Sequence, residues 1–260
     1  MVTTSDQQSI FCDPNYSEPI WSYDDSSGPD NWAELNPDYQ KCDQGQKQSP
    51  ININTKEIVR TPWNGTLQFQ YSCPDLKLKN TGREIEIECC DRSNKLVIAQ
   101  QEYELKEFHF HTPSEHAVDL HAYPVEIHLV HEKVGNPSKL VVVAVFINQG
   151  EENSFLELIA SNLPEQPGCE IKVSNSDVSV LNLLPKTHGL YYYSGSLTTP
   201  PCSENVHWIV FKETVFASVS QISRLSSVFP FFNTRPVQPT NSRLVRLIVS
   251  NEQSGDNNGN

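Results

Sequence analysis

Two short segments of this chain carry histidines at spacings that could hold a metal ion. Residues 107–111 read EFHFH, and residues 125–130 read VEIHLV. Side chains alternate between the two faces of an extended strand, so His109 and His111 would point to one side and the phenylalanines between them to the other. If the two segments pair as neighbouring strands, His128 lies beside the first two imidazoles.

Three neutral imidazoles leave the fourth position of a tetrahedral zinc ion open for water, which is the ligand count of a catalytic zinc site. A metal-bound histidine usually donates its second ring N–H to a carboxylate or a carbonyl, and Glu107 and Glu126 are placed to accept such bonds. A His-x-His pair alone is more often a pair of ordinary strand residues facing solvent or the core. The third histidine and the two carboxylates favour the metal site.

The composition bounds the size of the protein and its partners. The chain has 260 residues, of which 37% are hydrophobic and 20% charged, enough for one large domain or two small ones. The longest apolar run, residues 140–147, is too short to cross a bilayer. A net charge of −13 argues against binding to nucleic acid, because the phosphates would repel the protein. The same charge suits either a salt-tolerant protein or simple solubility.

Seven cysteines indicate an oxidising compartment. They are widely spaced and form no Cys-x-x-Cys pair, so a cysteine zinc site is disfavoured and one or two structural disulfides are expected, with at least one thiol left over. The N-terminus lacks the basic-then-apolar pattern of a signal peptide. We expect a secreted, periplasmic or cell-surface protein whose signal peptide has been removed.

Alternating hydrophobic patterns predict a β-dominated domain. Residues 1–20 suggest a loosely ordered arm, residues 21–249 a single catalytic domain and residues 250–260 a disordered tail. Strands are predicted at residues 67–71, 76–79, 84–89, 95–98, 103–111, 125–131, 140–148, 189–193, 206–211 and 244–249. Helices are predicted only at residues 155–162 and 218–227.

An ordered series of short motifs covers residues 21–249. In chain order these are WSY from residue 21, GP from 28, QSPI from 48, NTG from 80, FHFH from 108, SEH from 114, EIHLVH from 126, SLTTPPC from 196 and RPVQ from 235. On these motifs the chain resembles the alpha-class carbonic anhydrases, and the short Thr-Pro link after His111 resembles their algal, plant and bacterial branches. The resemblance implies a large twisted, mostly antiparallel central sheet with short peripheral helices.

The resemblance also implies roles for individual residues. His109, His111 and His128 match the ligands of a Zn²⁺ cofactor. Glu126 matches the carboxylate that orients the third ligand, and Glu107 occupies the corresponding place behind the first. Thr198 matches a hydroxyl that donates to Glu115 while it orients the nucleophile. The residues that match the substrate pocket are Val130, Val142, Leu197, Thr198, Thr199 and Trp208.

The implied activity is the reversible hydration of carbon dioxide to bicarbonate and a proton by attack of zinc-bound hydroxide. In carbonic anhydrases themselves the zinc-bound water has a pKa of about 7, so hydroxide is available at neutral pH. The implied partners are the small substrates and anionic or sulfonamide inhibitors, with the protein a monomer or weak dimer. The alternative is a binding or storage protein on the same scaffold. Relatives of that kind have usually lost a zinc histidine, whereas this chain has all three.

One position departs from the pattern of the fast members of the family. They carry a histidine after Asn-x-Gly that shuttles the proton out, whereas this chain has Arg83. Arginine stays protonated at working pH, so we expect Arg83 not to act as a shuttle. His121, Glu84 and Glu86 are candidate substitutes, together with water and external buffer.

The resemblance also implies a cysteine pairing. Cys42 and Cys202 occupy the positions of a disulfide found in secreted members of the family, where it would brace the loop that holds Thr198. Cys12 and Cys169 are candidates for a second bond. Cys89 and Cys90 are adjacent and point to opposite faces of a strand, so we expect them not to pair with each other.

Overall fold

The computed structural model describes residues 10–63, 65–91, 93–174, 179–186 and 189–250. The strands in this part of the chain are β1 Ile10–Cys12, β2 Asn52–Ile53, β3 Val59–Trp63, β4 Leu67–Gln70, β5 Leu76–Asn80, β6 Ile85–Cys89, β7 Lys95–Ile98, β8 Gln101–His111, β9 Ala117–Val118, β10 Val125–Lys133, β11 Asn136–Gln149, β12 Cys169–Val173, β13 Gly189–Gly195, β14 Val206–Phe211, β15 Val215–Ala217 and β16 Arg246–Ser250. The α-helices are short: α1 Trp32–Leu35, α2 Lys41–Gln44, α3 Ser154–Ala160 and α4 Val219–Ser226. Single 3-10 turns lie at Asp25–Ser27, Pro29–Asn31, Pro37–Tyr39 and Val180–Leu183.

Most of the strands belong to one large sheet. Its order is β1-β12-β5-β6-β8-β10-β11-β14-β13-β16-β3, with β7 added beside β8, β4 beside β7, and β15 beside β11. The pairings are antiparallel except β11 with β14, β11 with β15, and β16 with β3. A separate small sheet pairs β2 with β9. The predicted fold class, mainly β on a large central sheet with short peripheral helices, is confirmed.

The two histidine-bearing strands are direct neighbours. β8 and β10 run antiparallel, with His109 opposite His128 and His111 opposite Glu126. This is the pairing that the sequence analysis required for His128 to lie beside the first two imidazoles. The register shifts between Val130 and His131, and the pairing then continues with His131 opposite Leu105.

The sheet separates two hydrophobic clusters. One face of β8, β10 and β11 packs Phe108, Leu129 and Val143 into the larger cluster. The other face carries the histidines, and further along it the smaller cluster contains Val142 and Trp208. The histidine face is therefore one side of a rigid, buried sheet.

The two predicted helices are present with slightly shifted ends. A full capping box at Ser218 and Gln221 begins α4, as the sequence suggests. Several strands were not predicted, among them β1, β3, β12 and β15. β3 contains Pro62, which weakens a strand pattern, and it is found at the sheet edge where proline is tolerated.

The N-terminal segment differs from the expected loose arm. β1 pairs with β12, and Cys12 forms a disulfide with Cys169, which lies directly opposite it. These contacts attach residues 10–12 to the sheet. The expected tail, residues 250–260, begins at the last residue of β16, and residues 1–9 and 251–260 lie outside the described residues.

Three disulfides are present, one more than the sequence suggested. Cys42 is bonded to Cys202, as the resemblance implied. Cys73 is bonded to Cys89 across the β5–β6 hairpin, a pairing that the cysteine spacing did not indicate. Cys90 is a free, exposed thiol. None of the helices in the described part of the chain is long and apolar enough to span a bilayer.

We expect the Cys42–Cys202 bond to stabilise the fold strongly, because it closes a loop across 160 positions of sequence. The double variant Cys42→Ala/Cys202→Ala should lose about 2–5 kcal/mol of unfolding free energy in denaturant titration. Cys90→Ala, which removes only the exposed thiol, is the matched control and should stay within about 0.5 kcal/mol of the parent. Equal midpoints for the parent and the double variant would contradict this account.

Candidate metal centre

Three imidazoles converge on the histidine face of the sheet. The ring centroids of His109, His111 and His128 lie 4.6–5.3 Å apart, and one ring nitrogen from each lies within 4.8 Å of the others. His111 and His128 are almost fully buried, and His109 is mostly buried. The strand register therefore produces a compact set of nitrogen donors.

The second nitrogen of each ring already has a hydrogen-bond acceptor. His109 Nδ1 lies 2.8 Å from Glu107 Oε2, and His111 Nδ1 lies 2.6 Å from the carbonyl oxygen of Asn233. His128 uses its other nitrogen, with Nε2 2.8 Å from Glu126 Oε1. These contacts leave Nε2, Nε2 and Nδ1, respectively, as the free nitrogens. His111 Nε2 is buried without a hydrogen-bond partner.

Glu126 is the centre of a buried hydrogen-bond network. Its Oε2 accepts the backbone N–H groups of Glu115 and His116, each at 2.8 Å, and its Oε1 contacts His116 Nδ1 at 2.6 Å as well as His128. Burial alone raises the pKa of Glu126, but the imidazoles of His116 and His128 outweigh it and hold the pKa well below its usual range. An ionised carboxylate is thereby stabilised behind His128.

His116, Glu126 and His128 also form a cluster with metal-ligand geometry, but both ring nitrogens of His116 are occupied. His116 contacts Glu126 through Nδ1 and the hydroxyl of Tyr193 through Nε2, at 2.6 Å each. Tyr193 in turn donates to Ser49 Oγ at 2.9 Å. His116 therefore has no free nitrogen for a metal, and it supports Glu126 through hydrogen bonds.

Glu115 lies beside the three histidines. Its Oε1 accepts the backbone N–H of Arg235 at 2.9 Å, and its Oε2 lies 3.5 Å from His111 Nε2 and 3.9 Å from His128 Nδ1. Burial raises the pKa of Glu115, opposed by His111, the Arg235 N–H and a hydrogen bond from the side chain of Thr198. The Glu115 carboxylate thus lies between the free histidine nitrogens and the hydroxyl of Thr198.

Two of the three histidines, His109 and His128, lie at the wall of a small cavity of about 120 Å³. Its lining residues are Glu84, Glu107, His109, His128, Val130, Val142, Leu197, Thr198, Thr199 and Trp208. All six residues that the resemblance assigned to the substrate pocket belong to this lining. Its volume is below the roughly 300 Å³ at which pockets for drug-sized ligands begin, and it suits a very small molecule.

The histidines experience opposite electrostatic environments. Burial lowers the pKa of His109, but the carboxylates of Glu107 and Glu84 outweigh it and raise the pKa to about 10. Burial dominates at His128 and lowers its pKa to about 3, despite Glu126. Both directions apply to the site without a metal ion. A cation bound to the free nitrogens would lie close to several carboxylates.

The loop carrying Thr198 and Thr199 is held at several points. Trp208 Nε1 donates to the carbonyl oxygen of Ser196 at 3.0 Å, and the Cys202 N–H donates to Thr199 O at 2.9 Å. The Cys42–Cys202 disulfide joins the end of this loop to α2. Together these contacts position the two threonines over the histidines.

Arg83 does not point freely into solvent. Its Nη1 donates to the Trp21 carbonyl oxygen at 2.9 Å, and its guanidinium carbon lies 3.7 Å from the centroid of the Trp21 ring. This stacking and hydrogen bonding tie the residue to the N-terminal aromatic segment, an arrangement typical of arginine.

The candidate substitutes for a proton shuttle lie at different places. Glu84 lines the cavity, and its Oε2 is 3.9 Å from His109 Nε2. Glu86 is partly buried, and burial together with the Glu107 and Glu84 carboxylates raises its pKa to about 7. His121 is exposed and packs against Tyr123. Of these three residues, Glu84 lines the cavity, whereas Glu86 and His121 do not.

Some functional contacts gave no sequence signal of their own. Asn233 orients His111 through its backbone carbonyl, and its side chain bonds the backbones of Thr112 and Phe110. A carbonyl has no residue-type signature, and Asn233 lies 122 positions away. His116 and Tyr193 were likewise not assigned a role, although His116 falls in the SEH motif that was noted.

The donor set fits a zinc ion. Three imidazole nitrogens whose ring partners are fixed, with one open direction toward a cavity, make up the ligand pattern of a catalytic zinc site. The unpartnered, buried Nε2 of His111 is a polar atom that would otherwise remain without compensation. Residues His109, His111 and His128 are those that could hold the ion.

Comparison with known proteins agrees with this geometry. The model of the family described as "eukaryotic-type carbonic anhydrase" matches residues 27–249. A carbonic anhydrase of Nostoc sp. is 38% identical over 227 residues, which cover 86% of this chain and 84% of the relative.

Solved structures with the same fold include an enzyme and a protein of another name. An alpha-carbonic anhydrase from Thermovibrio ammonificans, in complex with the inhibitor sulfanilamide, matches with a TM-score of 0.81 and 40% identity, covering 87% of this chain and 98% of that one. A dioscorin complexed with ascorbate matches with a TM-score of 0.79 and 29% identity, covering 88% of this chain and 98% of that one. With a family model that spans most of its length and relatives well above 30% identity, the chain belongs to the eukaryotic-type carbonic anhydrase family.

Proposed function

We propose that this protein catalyses the zinc-dependent, reversible hydration of carbon dioxide to bicarbonate and a proton. Its family membership supports carbon dioxide hydration in general terms. The observation that carries the zinc-dependent mechanism is the convergence of three free imidazole nitrogens, each ring hydrogen-bonded at its other nitrogen, beside a small cavity that is apolar on one side.

The metal and the protein have separate tasks. A zinc ion bound to His109, His111 and His128 would supply a hydroxide nucleophile at neutral pH by acidifying a coordinated water. Glu107, Glu126 and the Asn233 carbonyl keep the second ring nitrogens occupied, so that the free nitrogens stay aimed at one point. A divalent charge at that point would also offset the cost of burying the nearby carboxylates.

Thr198 and Glu115 orient the nucleophile. Glu115 accepts a hydrogen bond from the Thr198 hydroxyl, and a divalent cation at the histidines would favour its ionised form against the burial that raises its pKa. The lone pairs of the Thr198 hydroxyl would then be available to accept a hydrogen bond from the nucleophile. This fixes the direction in which the attacking oxygen presents its own lone pair. The Thr198 backbone N–H is available for an oxygen of bicarbonate or of an anionic or sulfonamide inhibitor.

The apolar residues hold the substrate. Val130, Val142, Leu197 and Trp208 line the cavity beside the histidines. Carbon dioxide has no net dipole and is poorly solvated, so an apolar wall can hold it next to the nucleophile without strong contacts. Glu84 and His109 line the same cavity on its polar side.

Proton export does not use the position that the fast family members use. Arg83 is bound to Trp21 and stays protonated, so it does not accept a proton from the site. We propose that the proton leaves through water, with external buffer as its acceptor. Turnover is then below that of family members with a histidine at this position.

We propose that the protein works outside the cytoplasm. Three disulfides in the described residues fit an oxidising compartment and support secretion. Salt tolerance and a monomeric or weakly dimeric state stay predictions. The alternative of a binding or storage protein on this scaffold is disfavoured, because all three histidines together with Glu115 and Thr198 are in place.

The first test removes one ligand. His128→Ala should abolish carbon dioxide hydration and lower zinc affinity by at least about 100-fold. Loss of a ligand should cost more affinity than loss of a residue that hydrogen-bonds to a ligand. Zinc content by atomic absorption and stopped-flow hydration rates are the measurements. His121→Ala, an exposed histidine away from the three rings, is the control and should keep both. A His128→Ala protein with full zinc and full activity would refute the assignment.

The second test separates orientation from metal binding. Thr198→Ala should keep its zinc but lose about 100-fold in kcat/KM, within the range for loss of a proton-positioning group. Thr198→Ser retains the hydroxyl and should recover most of the rate. If Thr198→Ser is as slow as Thr198→Ala at equal zinc content, the hydroxyl is not the active feature.

The third test concerns proton export. The rate of the parent protein should rise with the concentration of imidazole buffer. Arg83→His should raise kcat severalfold at low buffer concentration and make the rate less dependent on buffer, because imidazole exchanges protons near neutral pH. Arg83→Gln also breaks the contact with Trp21 but adds no titratable group, and it should show no such gain. A parent rate that is high and independent of buffer would contradict the proposal.

A further inference from the structure

A second and larger cavity lies on the opposite face of the sheet from the candidate metal centre. Its volume is about 770 Å³. Strand alternation fixes the side: Ile209 and Phe211 of β14 face this cavity, whereas Trp208, the residue before Ile209, faces the histidines. The two cavities are therefore separated by the thickness of the sheet.

The cavity forms where two parts of the sheet face each other without filling the space between them. The antiparallel pair of β4 and β7 supplies Leu67 and Phe69 on one side, and Phe69 meets Phe211 at 5.9 Å between ring centroids. β13 and β16 supply Leu190 and Ile248 on the other. A volume of this size with an aliphatic and aromatic wall is within the range of small-molecule binding sites.

Two cations stand among these apolar residues. Lys186 is exposed and Arg246 half-buried, and both line the cavity. Within the described part of the chain neither is assigned an ion pair or a side-chain hydrogen bond. The positive charge of Arg246 affects Tyr192, which lines the cavity: burial raises the pKa of Tyr192, and Arg246 lowers it. In a protein of net charge −13, two unpaired cations beside an apolar cavity form a local site for an anion.

We propose that this cavity binds a small amphipathic carboxylate, with its apolar tail against Phe69, Ile209 and Phe211 and its carboxylate at Arg246 and Lys186. The apolar wall accounts for the tail, because burying it removes hydrocarbon from water. The cations account for the head group, because arginine binds carboxylates through two parallel hydrogen bonds. The site is distinct from the catalytic one and does not depend on it.

The test uses octanoate and its uncharged analogue octan-1-ol, titrated calorimetrically into the full chain. Octanoate should bind saturably at one site, about tenfold more tightly than the alcohol, since a charge-assisted contact at a partly exposed site is worth about one decade in Kd. The double variant Lys186→Gln/Arg246→Gln should bind both probes equally, at the affinity of the parent for the alcohol. Lys56→Gln, a cation that does not line the cavity, is the matched control and should behave as the parent.

Filling the cavity distinguishes binding inside it from adsorption elsewhere on the surface. Leu67→Trp occupies the space and should abolish binding of both probes, while carbon dioxide hydration by the double variant should equal that of the parent. No saturable binding, equal parent affinities for acid and alcohol, or a preference that survives in the double variant would each overturn the proposal. A dimer that Leu67→Trp dissociates, without octanoate binding, would assign the cavity to a second copy of the chain and also overturn it.

Discussion

Every imidazole of the candidate metal centre is fixed at the nitrogen that does not face the metal. A ring held in this way has one tautomer and one direction, so the three free nitrogens can meet at one point before any ion arrives. The acceptors differ in kind: a carboxylate for His109, a backbone carbonyl for His111 and a second carboxylate for His128. If these three contacts were lost, the site would be three flexible histidines.

Of these three contacts, the one from Glu126 to His128 requires the burial of a charged carboxylate. A buried carboxylate is costly unless its oxygens are hydrogen-bonded. Glu126 meets this condition with two backbone N–H groups and two imidazoles, which draw the segment after β8 and the ring of His116 around it. His116 in turn leads to Tyr193 on β13, so the network ties the metal centre to a distant strand of the same sheet.

The alternation and the family resemblance together predicted which side chains lie together at the candidate site, but not all of the contacts that support them. The period of two placed His109 and His111 on one face and brought His128 beside them, because register follows from which face is buried. The Asn233 carbonyl could not be predicted, since a backbone group has no residue signature and lies far away in sequence. The bond between Cys73 and Cys89 was missed because it depends on the β5–β6 register, and β1 because its pairing with β12 is a contact across 157 positions.

The central claim is that three imidazoles and one solvent-derived ligand surround a zinc ion. X-ray absorption at the zinc edge of the metal-loaded protein measures this directly. The account predicts four nitrogen or oxygen neighbours at about 2.0–2.1 Å, with multiple-scattering features from three imidazole rings and no sulfur. A sulfur neighbour, a fourth imidazole, or fewer than three imidazoles would contradict it.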